Sequence, residues 1–297
     1  MSTTERAKAR ATASRSPKST KEDTDFSVSR GGSVVGMVVA IGAVLGLCLF
    51  WRGWQQAFAF SHGLDKNLPA FTYFWLTLLA FNLLVLPSVF AIWYLRMWKS
   101  AGNPAAQITR QQEGKRLWNL WLLTLAFTVA VFFGGSFFAE EDASWHQVVI
   151  RDTAFTPSHI VLFFGIFPLL IYLAAGIYIY GRTNLPHMYG GRRFPVSIGL
   201  IIGGSVLLLF QVAMNEFGHS FFTPEELFVA PLHWPFVIFG YLLAGTFAIW
   251  FETLPRIGEL ARQEQQEHAA GQGQAVEQRA TDAGVSATSG SATAQAT

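Results

Sequence analysis

Charge is scarce in this 297-residue chain: 13% of the residues are Asp, Glu, Lys or Arg, against roughly 25% in a soluble globular domain. That is too little polar side chain to coat a water-exposed surface of this size, which argues against a water-soluble protein. Cysteine is scarcer still. The one thiol, Cys48, lies inside an apolar run, which excludes an intramolecular disulfide and a thiolate metal cluster, so any metal here takes nitrogen and oxygen ligands. A strong charge of one sign is also missing. The formal net charge is +2 and no basic stripe interleaves with aromatics, so no nucleic-acid partner is expected. The amino-terminal residues are basic but lack a short apolar segment followed by a small-residue cleavage site, so no removed signal peptide is expected.

What the chain has in abundance is apolar and aromatic side chain. Hydrophobic residues make up 51% of it and aromatics 15%, with 27 Phe and 10 Trp. They gather in runs at about Val34 to Phe50, Phe71 to Trp93, Leu117 to Phe138, His159 to Tyr180, Pro195 to Met214 and His233 to Trp250. Each is near the ~20 residues that a helix needs to cross a ~30 Å hydrocarbon layer. The expected fold is therefore all-α, a polytopic membrane bundle of about six transmembrane helices over residues 34–258. Residues 1–33 form a polar amino-terminal arm. Residues 259–297 form a tail dominated from about Gln263 by Ala, Gln, Gly, Ser and Thr. Both are too polar and small-sided to bury a core and are expected to be largely disordered, although Glu259 to Ala270 could continue the last helix for a few turns.

Basic residues set the expected orientation, because Lys and Arg are retained on the cytoplasmic side. The arm (Arg6, Lys8, Arg10, Arg15, Lys18, Lys21, Arg30), the second loop (Arg96, Lys99, Arg110, Lys115, Arg116) and the fourth (Arg182, Arg192, Arg193) are basic. The alternate loops carry only Arg52, Lys66 and Arg151. Both termini should be cytoplasmic, and the first, third and fifth loops should face outward.

Ionisable groups are expensive at membrane depth, so their positions are informative. The third helix ends in FFAEEDASWHQVVIRDT, which spaces Asp142 and His146 i, i+4 and so on one helical face. His159 follows in FTPSHI, where Thr156 suits the N-cap and Pro157 the first helical position. The pattern recurs downstream. The fifth helix ends in VAMNEFGHSFF with Asn215 and His219 again i, i+4, and His233 follows in APLHW, two residues after Pro231 as His159 is two after Pro157. The orientation from the basic residues puts all six groups on the outward side.

One His or Asp at a helix mouth is more often a cap or an interhelical hydrogen-bonding partner than a metal ligand. Two matched triples weigh against that reading, and four of the seven histidines fall in them. The residues alone leave copper, iron and zinc open, and three ligands per centre leave positions for water, O₂ or substrate. The remaining groups have simpler readings. His62, His187 and His268 have no partner at ligand spacing and are expected to be solvated or interfacial. Trp51, Trp54, Trp93, Trp98, Trp145 and Trp234 suit an aromatic belt. Gly199, Gly203 and Gly204 could let helices pack closely.

The segments AEEDASWHQVVIRDTAFTPSHI, NEFGH and EELFVAPLHW resemble the C subunit of the copper-dependent membrane monooxygenases, which include particulate methane monooxygenase, ammonia monooxygenase and short-chain hydrocarbon monooxygenases. The resemblance covers about Val34 to Glu259, with departures in the long Ala/Gln/Gly-rich tail and at Phe217, where many relatives have Trp. It implies that Asp142, His146 and His159 match one intramembrane metal site and Asn215, His219 and His233 a second, with copper the metal. It also implies A and B subunits, three copies of each, in a bacterial plasma membrane, with quinol as reductant and a small apolar substrate and O₂ as reactants. On that footing Asn215, His219 and His233 are expected to hold the copper nearest the chemistry, and the other triple a copper for electron relay or structure. Two rivals make different demands. A transporter or channel would use the His and carboxylate cluster for protons or ions and would need charged or hydroxylated groups at mid-span, and a purely structural component would use metals only to staple helices.

Overall fold

The structure, a computed structural model, describes residues 26–62, 67–100, 108–140, 160–190, 194–221 and 234–291. Six long helices carry these residues: α1 (Phe26–His62), α2 (69–100), α3 (Arg110–Glu140), α4 (160–184), α5 (Val196–Phe221) and α6 (Trp234–Ser291). Each contains a stretch long and apolar enough to cross a membrane, and there is no strand among the described residues. The all-α, six-span expectation is met. A one-turn helix, Pro186–Tyr189, follows α4.

The helices run alternately up and down, and side-chain contacts fix the pairing. Trp54 and Phe58 of α1 meet Phe74 of α2. Toward the middle of the bundle, Trp121 Nε1 of α3 donates to Thr253 Oγ1 of α6 at 2.7 Å, and Trp250 Nε1 of α6 donates to Thr124 Oγ1 of α3 at 2.7 Å. Phe90 and Tyr94 of α2 lie against Tyr172 of α4. In this order α3 and α4 occupy the centre, and α1 and α2 keep long apolar faces outward, including Val38, Val39, Leu84, Val89 and Leu95. Lipid tails are as apolar as these side chains, so helix association rests on close packing and interhelical hydrogen bonds rather than on water exclusion.

Small residues provide the close packing. A Cβ on Gly204 of α5 would sit 2.6 Å from Leu242 Cδ2 of α6, and one on Gly245 of α6 would sit 2.8 Å from Ile201 Cγ2 of α5. A Cβ at either position would force the facing side chain to shift. The expectation for Gly204 is met, whereas Gly203 faces open space and Gly199 makes room for Phe194 of its own segment. Buried hydroxyls are satisfied locally: Ser205 donates to the Ile201 carbonyl at 2.7 Å and Thr246 to the Leu242 carbonyl at 3.0 Å.

Among the described residues three single π turns interrupt the α-helical pattern: Thr72–Leu76 and Phe81–Val85 in α2, and Leu162–Ile166 in α4. Such turns shift the backbone ladder by one residue and recur at functional sites. Hydropathy carries no trace of them.

Two expectations need amendment. Trp51 does not belong to an interfacial belt: it is fully buried, with its indole N–H on Asn82. Trp98 is exposed, as a belt residue should be. The carboxy-terminal tail does not leave the helix near Gln263, because α6 continues to Ser291. Its Ala, Gln and Glu residues are good helix formers, and an established helix propagates through them cheaply. The side chains from Gln265 to Ala280 are nonetheless exposed, so the segment buries no core, as its composition requires. The arm expected over residues 1–33 lies mostly outside the described residues, and α1 already begins at Phe26.

Candidate metal centre

Helices α1, α3 and α5 finish at the same end of the bundle at which α2, α4 and α6 begin. In the chain, the residues of the metal-ligand pattern lie within, follow or precede the helix ends found here. On α5 the helix is continuous through Asn215 and His219 to Phe221, so these two residues share one face a single turn apart, at about 6 Å between their backbones. Asp142, His146, His159 and His233 lie outside the described residues. By chain connectivity Asp142 is two residues past the last residue of α3, His159 directly precedes α4 and His233 directly precedes α6. Asp142 and His146 therefore have no described helix beneath them, and the expected N-capping by Thr156 also falls outside the described residues. Among the described residues no group of three or more His, Cys, Asp and Glu is arranged to hold a metal ion.

Beneath this end the interior is aromatic and closed. Phe138 of α3 packs on Phe236 and Phe239 of α6 at centroid distances of 5.3 and 6.2 Å, and on Phe167 of α4 at 6.4 Å. A polar layer adjoins it on the side of α1 and α2. Asn82, buried in α2, accepts from Trp51 Nε1 at 3.0 Å and donates through Nδ2 to the Ile160 carbonyl at 2.9 Å. Trp75, one layer nearer the same end, is fully buried, and its Nε1 has no acceptor among the described residues. Hydropathy registered Asn82 only as one polar residue in an apolar run; an amide at mid-span was the signal available for it.

The opposite end is built on charge. Glu113 of α3, with 7% of its side chain exposed, accepts from Arg256 Nε of α6 at 2.6 Å and from Arg256 Nη2 at 2.8 Å. His187 Nε2 lies 2.9 Å from Glu113 Oε1, so the expectation of a solvated or interfacial His187 is amended by a carboxylate partner, with the imidazole half-exposed. The sequence hid the pairing because the partners are 74 residues apart. Arg256 also reaches Glu259 at 2.9 Å. Nearby, Ser197 of α5 donates to Glu252 of α6 at 2.6 Å, and Arg182 donates to the Tyr189 carbonyl at 2.7 Å. Burial, reinforced by the Glu252 carboxylate, pushes the Tyr189 phenol up, so it stays a neutral donor. Arg110 and Glu267 form an outer ion pair that ties the start of α3 to the extension of α6. These groups lock α3, α5 and α6 together, at the end of the bundle that holds the basic second and fourth connections.

Residues 19–264 match the family described as the C subunit of ammonia monooxygenase/methane monooxygenase. The chain belongs to this family. The C subunit is a component of a membrane monooxygenase complex, which gives the present chain a place beside A and B subunits and a general role in oxygenation. No curated protein matches the chain in sequence.

The donor set fits a copper ion chemically. Imidazole nitrogens suit copper, as they do iron and zinc. The one cysteine, Cys48, is buried on α1, and neither candidate triple includes it.

Proposed function

We propose that this chain carries two copper centres at one mouth of the bundle, one ligated by Asn215, His219 and His233 and the other by Asp142, His146 and His159. The complex would insert one oxygen atom of O₂ into a C–H or N–H bond of a small substrate such as methane, a short-chain alkane or ammonia. The observation that carries the reading is the backbone of α5, which continues as regular helix past both Asn215 and His219. Their spacing therefore becomes a shared face, at the end from which α6 starts, one residue after His233 in the chain. The overall reaction balances as R–H, O₂ and quinol giving R–OH, water and quinone. Copper held there would supply the one-electron chemistry that O₂ reduction requires.

The chain's own contribution is positional. Asn215 offers a neutral amide oxygen and His219 and His233 offer imidazole nitrogens, which leaves part of the coordination sphere open. The Phe138, Phe167 and Phe239 cluster bars water from below. Selection among substrates that lack polar handles then rests on size and access, where one methylene is worth only about 1–3 kcal/mol. The Asp142, His146 and His159 triple would hold the second ion for electron relay or structure. The complex is expected as three copies of each of its A, B and C subunits in a bacterial plasma membrane, with both termini of the present chain cytoplasmic.

A transporter reading has less support. Its mid-span hydroxyls should line a polar path, yet Ser205 and Thr246 are spent on carbonyls of their own helices, and Thr124 and Thr253 on tryptophans of the facing helix. The test is copper content and substrate oxidation of the purified complex carrying His219→Ala or His233→Ala. Loss of copper and of oxygenation is expected in both, and normal values in both would refute the assignment.

A further inference from the structure

We propose that α2 carries a binding site for one anionic phospholipid at the charged end of the bundle: Arg96 and Lys99 hold its phosphate, and Val85, Val89 and Ile92 take an acyl chain.

The last part of α2, Leu86–Ser100, is regular α-helix, so residues three and four apart stack into stripes along it. One stripe reads Val85, Val89, Ile92, Arg96 and Lys99, and all five side chains are exposed. Its apolar length fits a single leaflet. Arg96 lies 11 residues beyond Val85, about 16 Å along the helix axis, against about 15 Å for half of a ~30 Å hydrocarbon layer. Trp98, exposed beside the two cations, stands at the headgroup level where amphipathic rings gather.

The two cations lack a counter-ion. At the same end Arg110 pairs with Glu267 and Arg256 with Glu113, while Arg116 donates to the Asn184 carbonyl and Arg182 to the Tyr189 carbonyl. Arg96 and Lys99 have no hydrogen bond or ion pair among the described residues. The sequence explains the difference. Helix α2 packs on α1 and α4, and none of these three helices contains an Asp or Glu; nor does either connection at this end, residues 101–109 and 185–195. Every carboxylate described at this end belongs to α3 or α6.

The leaflet supplies what the neighbouring helices lack. A guanidinium fork and an ammonium one turn apart suit the oxygens of a single phosphate, and the stems of both side chains can lie along the apolar stripe while their heads reach the interface. The acyl stripe distinguishes this site from one for free phosphate. Two positive charges on one phosphate also favour an anionic headgroup over choline or ethanolamine, whose own cation would be repelled.

The test uses the whole purified complex in phosphatidylcholine nanodiscs to which phosphatidylglycerol with the same acyl chains is added in small fractions. Native mass spectrometry counts the lipid retained. One phosphatidylglycerol per copy of this chain should be kept in preference to phosphatidylcholine. Arg96→Gln and Lys99→Gln should each weaken retention about fivefold, the worth of one Lys or Arg at an anionic leaflet, and the double variant roughly 25-fold. Arg279→Gln, on the exposed extension of α6, should change it by less than about twofold. Millimolar inorganic phosphate should leave the lipid bound. A photo-reactive side chain in Ile92→p-benzoylphenylalanine should crosslink to phospholipid; it needs neither charge substitution and so decides the matter should the double variant fail to assemble. Equal retention of the two lipids, full retention in the double variant, displacement by inorganic phosphate, or a crosslink to protein alone would each overturn the proposal, the last by showing that a protein segment covers this face.

Discussion

Replacing Glu113 by Gln tests how the charged end of the bundle is held. The carboxylate is nearly buried, and Arg256 grips it through two nitrogens at 2.6 and 2.8 Å, with His187 at 2.9 Å on one of its oxygens. Deleting one member of a fully buried ion pair costs about 3–5 kcal/mol because the other charge is stranded. Arg256 would not be stranded. Its side chain is 35% exposed and keeps Glu259 at 2.9 Å, so solvent and that second carboxylate absorb most of the penalty. What is lost is the charge-assisted part of the bidentate contact, about 2 kcal/mol. The assay is thermal unfolding of the purified complex in lipid nanodiscs for Glu113→Gln, Arg256→Gln and the double variant. A coupling of about 1–2 kcal/mol is expected, and Arg256→Lys should fail to restore it, since an ammonium cannot reproduce the two-pronged contact. Single-variant effects that add to within about 0.5 kcal/mol would refute the pairing.

Other consequences follow from packing and topology. Gly176→Ala would drive a Cβ to 2.3 Å from Trp93 Cζ3; a loss of about 1–3 kcal/mol is expected, with recovery in Gly176→Ala/Trp93→Phe, and an unchanged melting temperature in the single variant would contradict the contact. Truncation after Ala270 removes a stretch whose described side chains, as far as Ala280, are exposed, and spares Glu267, the partner of Arg110; assembly and stability should be unchanged, and loss of the complex would contradict a tail that adds nothing to the buried core. A cysteine at Ser220 should react with a membrane-impermeant reagent added outside; reaction only from the inside would overturn the orientation drawn from the basic loops.

The membrane fold was legible in the sequence because its main determinant is local. About twenty apolar residues in a row have few options in a bilayer, and helices α1 to α6 fall on the six runs. The helix ends were less legible. Propensity carried α6 to Ser291 although its side chains from Gln265 to Ala280 are exposed, and hydropathy cannot see a helical stretch that adds nothing to a core. The polar layer at mid-span and the charged end were largely hidden, since they depend on pairings across many residues: Trp51 with Asn82, Asn82 with Ile160, and Glu113 with both His187 and Arg256. For the candidate site, spacing predicts that Asn215 and His219 share one helical face, and α5 is helical through both positions. Asp142, His146, His159 and His233 fall in connections outside the described residues, where periodicity has least to say and only repetition of the pattern singled them out.

The central claim is that the two triples hold copper, and the most direct measurement is the copper content of the intact complex carrying His146→Ala together with His219→Ala. At unchanged stoichiometry of the three kinds of chain, the complex should lose the copper of both centres from every copy of this chain. A double variant that keeps the full copper content of the unsubstituted complex would contradict the claim.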